Sequence, residues 1–237
     1  YHGFLTVARR PPLGRFQLIN RLEETVVQGS SRFSLSCQTY PGVERPLESE
    51  RLESFRLDPF PVWTFVIGHS TIEKSFFLRY GEDTGVVTYR LLTGTPAEME
   101  VRPLLSFRDH HGLAHRDHRF EGRTHFHDQG MEVAMPDGGQ LHLWTSAGQF
   151  VSDPLWFNHQ FYGEEDRRGL ESTEDVFGPG VFRFPLIEGK SVSFLFSVVQ
   201  AEGPVPVEKW TEEEREQRGK IVKRSLVRGA LGGALSL

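Results

Sequence analysis

Ser191-Val192-Ser193-Phe194-Leu195-Phe196-Ser197-Val198 alternates along its whole length. Val192, Phe194, Phe196 and Val198 fall on one side, and Ser191, Ser193, Leu195 and Ser197 on the other. A period of two is the signature of a strand with one face in a core. The same period recurs outward from this segment. In Val62 to Ile67, Trp63, Phe65 and Ile67 share a face. Gly68-His69-Ser70 then turns the chain into Thr71 to Arg79, which predicts a hairpin. Met131 to Met135 and Gln140 to Thr145 flank Pro136-Asp137-Gly138-Gly139, a second hairpin with strong turn chemistry. Further strands are expected at Phe4 to Ala8, Phe16 to Asn20, Glu23 to Gln28, Gly85 to Leu92 and Glu98 to Leu105. There is no fixed-period repeat and no βαβ rhythm. The pattern predicts an all-β protein, an antiparallel sandwich or barrel.

Composition agrees. The chain has 237 residues, with 19 Phe for pleated surfaces and 24 Gly and 14 Pro for the turns between them. A chain of this size buries a core without staples. The single Cys37 excludes a disulfide framework within the chain and fits a reducing compartment, so a cytoplasmic location is expected. Cys37 has no nearby His and reads as packed rather than nucleophilic. A net charge of -5 gives no basic footprint for nucleic acid. No apolar run reaches the ~18–20 residues of a membrane span, and there is no signal-peptide pattern.

After Pro204 and Pro206 the pattern changes. Thr211-Glu212-Glu213-Glu214 has the form of a capping box, and Glu214/Arg218 and Glu216/Lys220 are favourable i,i+4 pairs. Lys223, Arg224 and Arg228 suit the end of a helix. Ile221, Val222, Leu226 and Val227 give it a modest apolar side, and Gly229, Gly232 and Gly233 weaken it. This predicts a terminal helix, either a connector to another domain or a helix packed on the edge of the sandwich.

The candidate site is Leu155 to Gly180, LWFNHQFYGEEDRRGLESTEDVFGPG. Aromatics, acids, arginines and glycines are interleaved too densely for a core strand or a disordered linker. An ordered surface that holds a polar ligand with an apolar face, such as a sugar, is expected. Trp156 and Tyr162 lie among polar residues and are the stacking candidates, whereas Trp63 and Trp144 sit in alternating strands and read as core. Glu164-Glu165 and Glu174-Asp175 are poor glycosidase pairs, because neighbours on a strand face opposite ways and such pairs stand ~5–9.5 Å apart. A cross-pair such as Glu164 with Asp175 stays open. Upstream lies a His-rich stretch, Arg108-Asp109-His110-His111 through His118, followed by His125-Phe126-His127 with Glu132. His125-x-His127…Glu132 has a cupin-like metal spacing, but the glycines and the later His strand of that signature are out of place. A polar loop is the main expectation, with no metal and no cofactor. Phosphate-binding loops and Gly-x-Ser-x-Gly elbows are absent from the sequence.

Several strings, in order, resemble the N-terminal domain of bacterial and archaeal glycogen debranching enzymes of the amylo-α-1,6-glucosidase type. They are Tyr1-His2-Gly3-Phe4-Leu5, Leu22-Glu23-Glu24-Thr25, Tyr40-Pro41-Gly42, Leu52 to Pro61 and Arg108-Asp109-His110-His111. They continue with Trp156-Phe157 to Tyr162, Arg168-Gly169-Leu170 and Glu174-Asp175-Val176-Phe177-Gly178-Pro179-Gly180. His111 departs from the Arg-Asp-Tyr-His expected there. The resemblance implies an antiparallel β-supersandwich, galactose-mutarotase-like, over residues 1–205. It implies a connector helix over 206–237, leading toward an (α/α)6 catalytic barrel that carries the hydrolytic carboxylates. No catalytic residue is therefore assigned within the chain, which alone is not expected to be catalytic. Implied partners are an α-glucan (glycogen or maltodextrin) and the barrel of the same polypeptide, with neither nucleic acid nor membrane. The debranching cycle also implies a 4-α-glucanotransferase step, to which no residue here is tied. Trp156 and Tyr162 would stack on glucose. Asn158, Arg168, Glu174 and Asp175 would hydrogen-bond hydroxyls or brace the loop, with His110 and His111 at the same end. The alternatives are a scaffold surface between domains or subunits, and a cupin-like metal enzyme using His125, His127 and Glu132.

Overall fold

The computed structural model describes residues 3–10, 13–36, 51–57, 59–117, 124–135, 138–199 and 206–233. Cys37, the Tyr40-Pro41-Gly42 string and Pro136-Asp137 of the second turn lie outside them. The first strands are β1 (Leu5–Arg10), β2 (Leu13–Gln28), β3 (Ser31–Ser34), β4 (Leu52–Leu57), β5 (Pro61–Ile67), β6 (Ser70–Leu78) and β7 (Thr84–Thr93). Then come β8 (Ala97–Asp109), β9 (Thr124–His127), β10 (Gly130–Ala134), β11 (Gln140–Thr145), β12 (Gln149–Phe161), a short α1 (Gly163–Arg167), β13 (Thr173–Leu186), β14 (Ser191–Ser197) and α2 (Val207–Gly233).

Two antiparallel sheets result. The first runs β1-β2-β8-β13-β12, with β3 also paired to β2. The second runs β4-β5-β6-β7-β14-β11-β10-β9. The all-β sandwich with a C-terminal helix expected from the alternation is what the chain forms. Both expected hairpins are present, as β5–β6 and β10–β11. The segment Phe16 to Gln28, read as two strands, is a single long β2, because two register shifts bend the strand without breaking it.

The core sits between the sheets. Leu22, Val26, Met99, Val101, Phe182 and Phe184 from the first sheet meet Ile72, Val87, Tyr89, Phe194 and Phe196 from the second. Each buried Phe or Leu contributes ~1.5–3 kcal/mol relative to leaving it exposed. The faces of β14 divide as its alternation predicts: Val192, Phe194 and Phe196 point into this core, while Leu195 joins a second, outer cluster.

That outer cluster anchors α2. Phe60, Phe77, Val86, Leu195 and Val207 are buried together, with Trp144 and Trp210 packed against them. Arg79 lies 4.3 Å over the Trp210 ring and Arg218 lies 5.0 Å over Phe60. The Glu214 carboxylate, itself buried, accepts a hydrogen bond from the Tyr80 amide. The helix begins at Val207, four residues before the expected capping box. Trp210 N already donates to Pro206 O at 3.0 Å, and the Thr211 hydroxyl donates back to Val207 O at 2.7 Å. Burial of Val207 and Trp210 on the sheet sets the start, so Thr211 is an interior residue rather than a cap. The expected Glu214/Arg218 and Glu216/Lys220 pairs stand at 3.9 and 3.7 Å. No helix among the described residues is long and apolar enough to cross a membrane.

Candidate functional site

Three irregularities converge at one end of the first sheet. Between the pairs Ile19/Leu105 and Arg21/Leu104, β2 carries one extra residue, Asn20. Between Leu105 and Arg108, β8 carries Ser106 and Phe107 opposite the single Leu18, and Phe107 takes a left-handed φ of 42°. Between Phe157 and Gln160, β12 carries Asn158 and His159 opposite the single Asp175, with His159 at φ 59°. Each bulge turns a side chain out of the regular alternation. A bulky Phe in the left-handed region is strained and persists only where its surroundings hold it.

The side chains redirected inward form a buried polar network. Glu174 on β13 is fully buried and Arg108 on β8 is 5% exposed. The Arg108 Nε donates to Glu174 Oε1, and its Nη2 to Oε2 at 3.3 Å. Asn20 Nδ2 donates to Glu174 Oε2 at 2.9 Å and to the Tyr162 hydroxyl oxygen at 2.6 Å. The Tyr162 hydroxyl donates to Glu174 Oε2 at 2.5 Å. Ala114 N reaches Glu174 Oε1 at 3.2 Å, and Arg108 Nη1 reaches the carbonyls of Asp109 and His110. One carboxylate thereby ties together three strands, the junction between β12 and α1, and the loop after β8. Charge-assisted bonds of this kind are the strong ones, and a buried network is stable only when every member is satisfied.

The side chains redirected outward form a rim above that network. Asn158 and His159 are exposed. Asp175 accepts the His159 amide at 2.9 Å on Oδ1 and the Arg116 amide at 3.0 Å on Oδ2, and Asp175 N donates to Ala114 O. His115 Nε2 stands 2.9 Å from Glu171 Oε1, joining the same loop to the segment after α1. His111 is exposed beside half-buried His110, with ring centroids 5.2 Å apart. Burial, then the nearby charges of Arg15 and His111, lowers the His110 pKa from its ordinary value. Trp156 is half-buried and lies 5.3 Å from the Phe177 ring. Arg168 is exposed and pairs with Glu165 at 3.2 Å.

Of the eight residues chosen from the sequence, the structure brings Asn158 and Asp175 together on this rim, with His110 and His111 at the start of the loop whose Ala114 and Arg116 bond to Asp175. Tyr162 and Glu174 lie beneath it with their polar atoms engaged inside the protein. Asn20 and Arg108 complete the buried network. Arg108 stood in a motif string but was given no role, and the only signal for Asn20 was a polar residue directly after the apolar pair Leu18-Ile19. Glu164 is exposed and pairs with Arg167. At the far edge of the second sheet, His125 and His142 lie directly opposite Glu132 on either side, with His142 Nδ1 at 3.2 Å and His127 Nε2 at 3.7 Å from its carboxylate. Among the described residues, no group of three or more His, Cys, Asp or Glu is placed to hold a metal ion.

The model of the family "Glycogen debranching enzyme N terminal" matches residues 1–193. The chain belongs to this family. Comparison with curated proteins finds no match. Among solved structures, a bacterial glucoamylase complexed with acarbose is similar at 9% identity and TM-score 0.42, covering 86% of this chain and 31% of that one. A polysaccharide lyase is similar at 11% identity and TM-score 0.39, covering 83% and 32%. The chain thus spans about a third of the length of these structures. One string that resembles the debranching family has plain local causes. In Glu174 to Gly180, the acids are the network carboxylate and the rim carboxylate, one on each side of the strand. Gly180 lies so close to β12 that a Cβ there would stand 2.3 Å from Val151 O, which only glycine tolerates.

The network has a readable titration. Burial first, then the Glu174 charge and the hydrogen bond to it, push the Tyr162 hydroxyl up to about 12, against the opposing pulls of Asn20 and Arg21. An unfolded tyrosine titrates near ~10. Between these values the native state holds a proton that the unfolded state has lost, so stability falls as pH rises through the window and is unaffected by this group below it. The fall amounts to about 2–3 kcal/mol. Urea titrations from pH 9 to 12 should show that slope, and Tyr162→Phe should flatten it. A residual slope from buried Tyr89, whose pKa is also raised, should remain.

Proposed function

We propose that the chain is the substrate-positioning domain of a glycogen debranching enzyme (amylo-α-1,6-glucosidase) acting on α-glucans in the cytoplasm. The hydrolytic carboxylates are assigned to a helical barrel following α2. The observation that carries this reading is the layering at the end of the first sheet. An exposed row of hydrogen-bonding groups is held rigid by a buried carboxylate network directly below. Sugar hydroxyls need donors and acceptors fixed in place, and a preorganised rim supplies them at low entropic cost. Trp156 offers an aromatic face to a glucose ring. Asn158, Asp175 and Arg168 bond hydroxyls, with His110 and His111 at the same end. Tyr162 and Glu174 brace the rim from within. Calorimetric titration with maltooligosaccharides and with a branched glucan tests this. Trp156→Ala is expected to weaken binding by about tenfold, the worth of one stacking contact of ~1–1.5 kcal/mol. Absence of binding at millimolar ligand would sink the proposal.

A second reading, a scaffold surface, is favoured by a different observation. Exposed Leu57, Leu78, Tyr80, Ile221 and Val222 line a groove of about 880 Å³ between the second sheet and α2. Such a patch suits burial against a neighbouring domain. It is compatible with sugar binding at the rim, and becomes the whole role only if that binding fails.

A further inference from the structure

The outer face of the second sheet is arranged in rows, because its strands pair in register and alternate residues share a face. The first row is Phe77, Val86, Leu195 and Trp144, directly opposite one another on β6, β7, β14 and β11. It is the apolar row covered by Val207 and Trp210 of α2. Two residues along each strand comes Val62, Ser75, Thr88 and Ser193. Two further along comes Thr64, Glu73, Arg90 and Ser191. The helix covers the first row and leaves the other two beside it. All of them but Thr64 form the floor of a groove of about 520 Å³, with Glu208, Glu212 and Arg215 of α2 as its wall. That volume is ordinary for a small-ligand site.

The lining chemistry narrows the ligand. Three arginines (Arg56, Arg90, Arg215) and three glutamates (Glu73, Glu208, Glu212) face the groove, so it carries no net charge. Arg56 pairs with Glu73 at 2.6 Å and Arg215 with Glu212 at 3.6 Å. Arg90 and Glu208 are exposed and make no ion pair among the described residues, leaving one donor and one acceptor for a ligand. Thr88 and Ser193 share a hydroxyl–hydroxyl bond of 2.9 Å, and Ser146 accepts the Ser193 amide at 2.9 Å. Each hydroxyl retains further bonding capacity. An anion would find two of the three arginines already paired and three carboxylates lining the same groove. A peptide would need apolar anchors, yet Phe60, Val62, Phe77 and Val207 are buried beneath the surface. A neutral chain rich in hydroxyls matches both facts.

We propose that this groove is a second α-glucan site, on the opposite sheet from the rim, that takes a neutral maltooligosaccharide. It rests on the α-glucan reading above and extends it to a surface on the second sheet, to which the motif string Leu52 to Pro61 contributes Arg56, Pro59 and Phe60. The experiment is amide chemical-shift mapping of the chain with maltoheptaose. Thr88, Arg90 and Ser193 report on the groove, and Asn158, His159 and Asp175 on the rim. Groove shifts are expected in the wild type. Arg90→Ala with Glu208→Gln, both at exposed positions, is expected to weaken groove binding about tenfold or more while rim shifts persist. Thr88→Val, nearly isosteric, is a second variant expected to act in the same direction. Shifts at the rim alone, or groove shifts that survive both variants, overturn the groove and leave the rim reading intact. Shifts in the groove alone support the second site and remove the rim. No shifts at either place at millimolar sugar overturn both.

Discussion

Glu174→Ala is expected to lower the free energy of unfolding by about 3–5 kcal/mol, the largest loss from any single rim or network change. The reason is what it leaves behind. Arg108 would keep a buried guanidinium with no carboxylate, and the Tyr162 hydroxyl, Asn20 Nδ2 and Ala114 N would each lose an acceptor. Domains are stable by only ~5–15 kcal/mol, so such a loss removes about a fifth or more of the total. Glu174→Gln keeps the shape and one acceptor oxygen, and should cost about 2 kcal/mol. Glu174→Leu with Arg108→Met removes both charges and should recover most of the loss, because the dominant penalty is the unpaired ion rather than the missing bond. Urea denaturation of the four proteins decides it. A double variant as unstable as Glu174→Ala would mean that the packing of the bulges, not the buried charge, carries the stability.

The same residues explain what the sequence made legible. Strand existence was plain wherever one face met the core, as in Val192, Phe194 and Phe196, because burial imposes the period directly. The Leu155 to Gly180 segment reads as an ordered surface, but its division into β12, α1 and β13 is hidden. Edge strand β12 has both faces partly exposed, so no period marks it, and the Asn158-His159 bulge shifts the phase midway. The bulges also explain the two engaged site residues. Glu174 and Asp175 look alike as neighbours, and only the register, with Gln160 opposite one and two extra residues opposite the other, shows which is buried. The helix start was misplaced for a related reason. Local capping chemistry at Thr211 was overridden by packing of Val207 and Trp210 on a sheet distant in sequence.

Glu24 offers the second large effect and the sharper lesson. It sits between Leu22 and Val26 in the apolar phase of β2, and its side chain enters the space between the sheets. There it accepts a bond from the Tyr89 hydroxyl and pairs with Lys74 Nζ at 2.7 Å. Tyr89 and Lys74 are directly opposed on β7 and β6, so this one acid joins the two sheets across the core. The Lys74 ammonium also lies 5.3 Å from the Trp63 ring, with little water near it. Glu24→Ala is therefore expected to cost about 3–5 kcal/mol by stranding that ammonium and the Tyr89 hydroxyl together. A triple change, Glu24→Leu with Lys74→Met and Tyr89→Phe, should fall within about 2 kcal/mol of the parent, since buried ion pairs seldom outperform well-packed apolar groups. Thermal and urea unfolding measure both. A single Glu24→Ala variant that loses less than about 1 kcal/mol would show the bridge to be solvated, as exposed salt bridges are. If the triple variant is as stable as expected, the polar bridge fixes how the sheets register against each other rather than how strongly they adhere. The rim, mounted on one sheet, and α2, mounted on the other, would then depend on Glu24 for their relative placement.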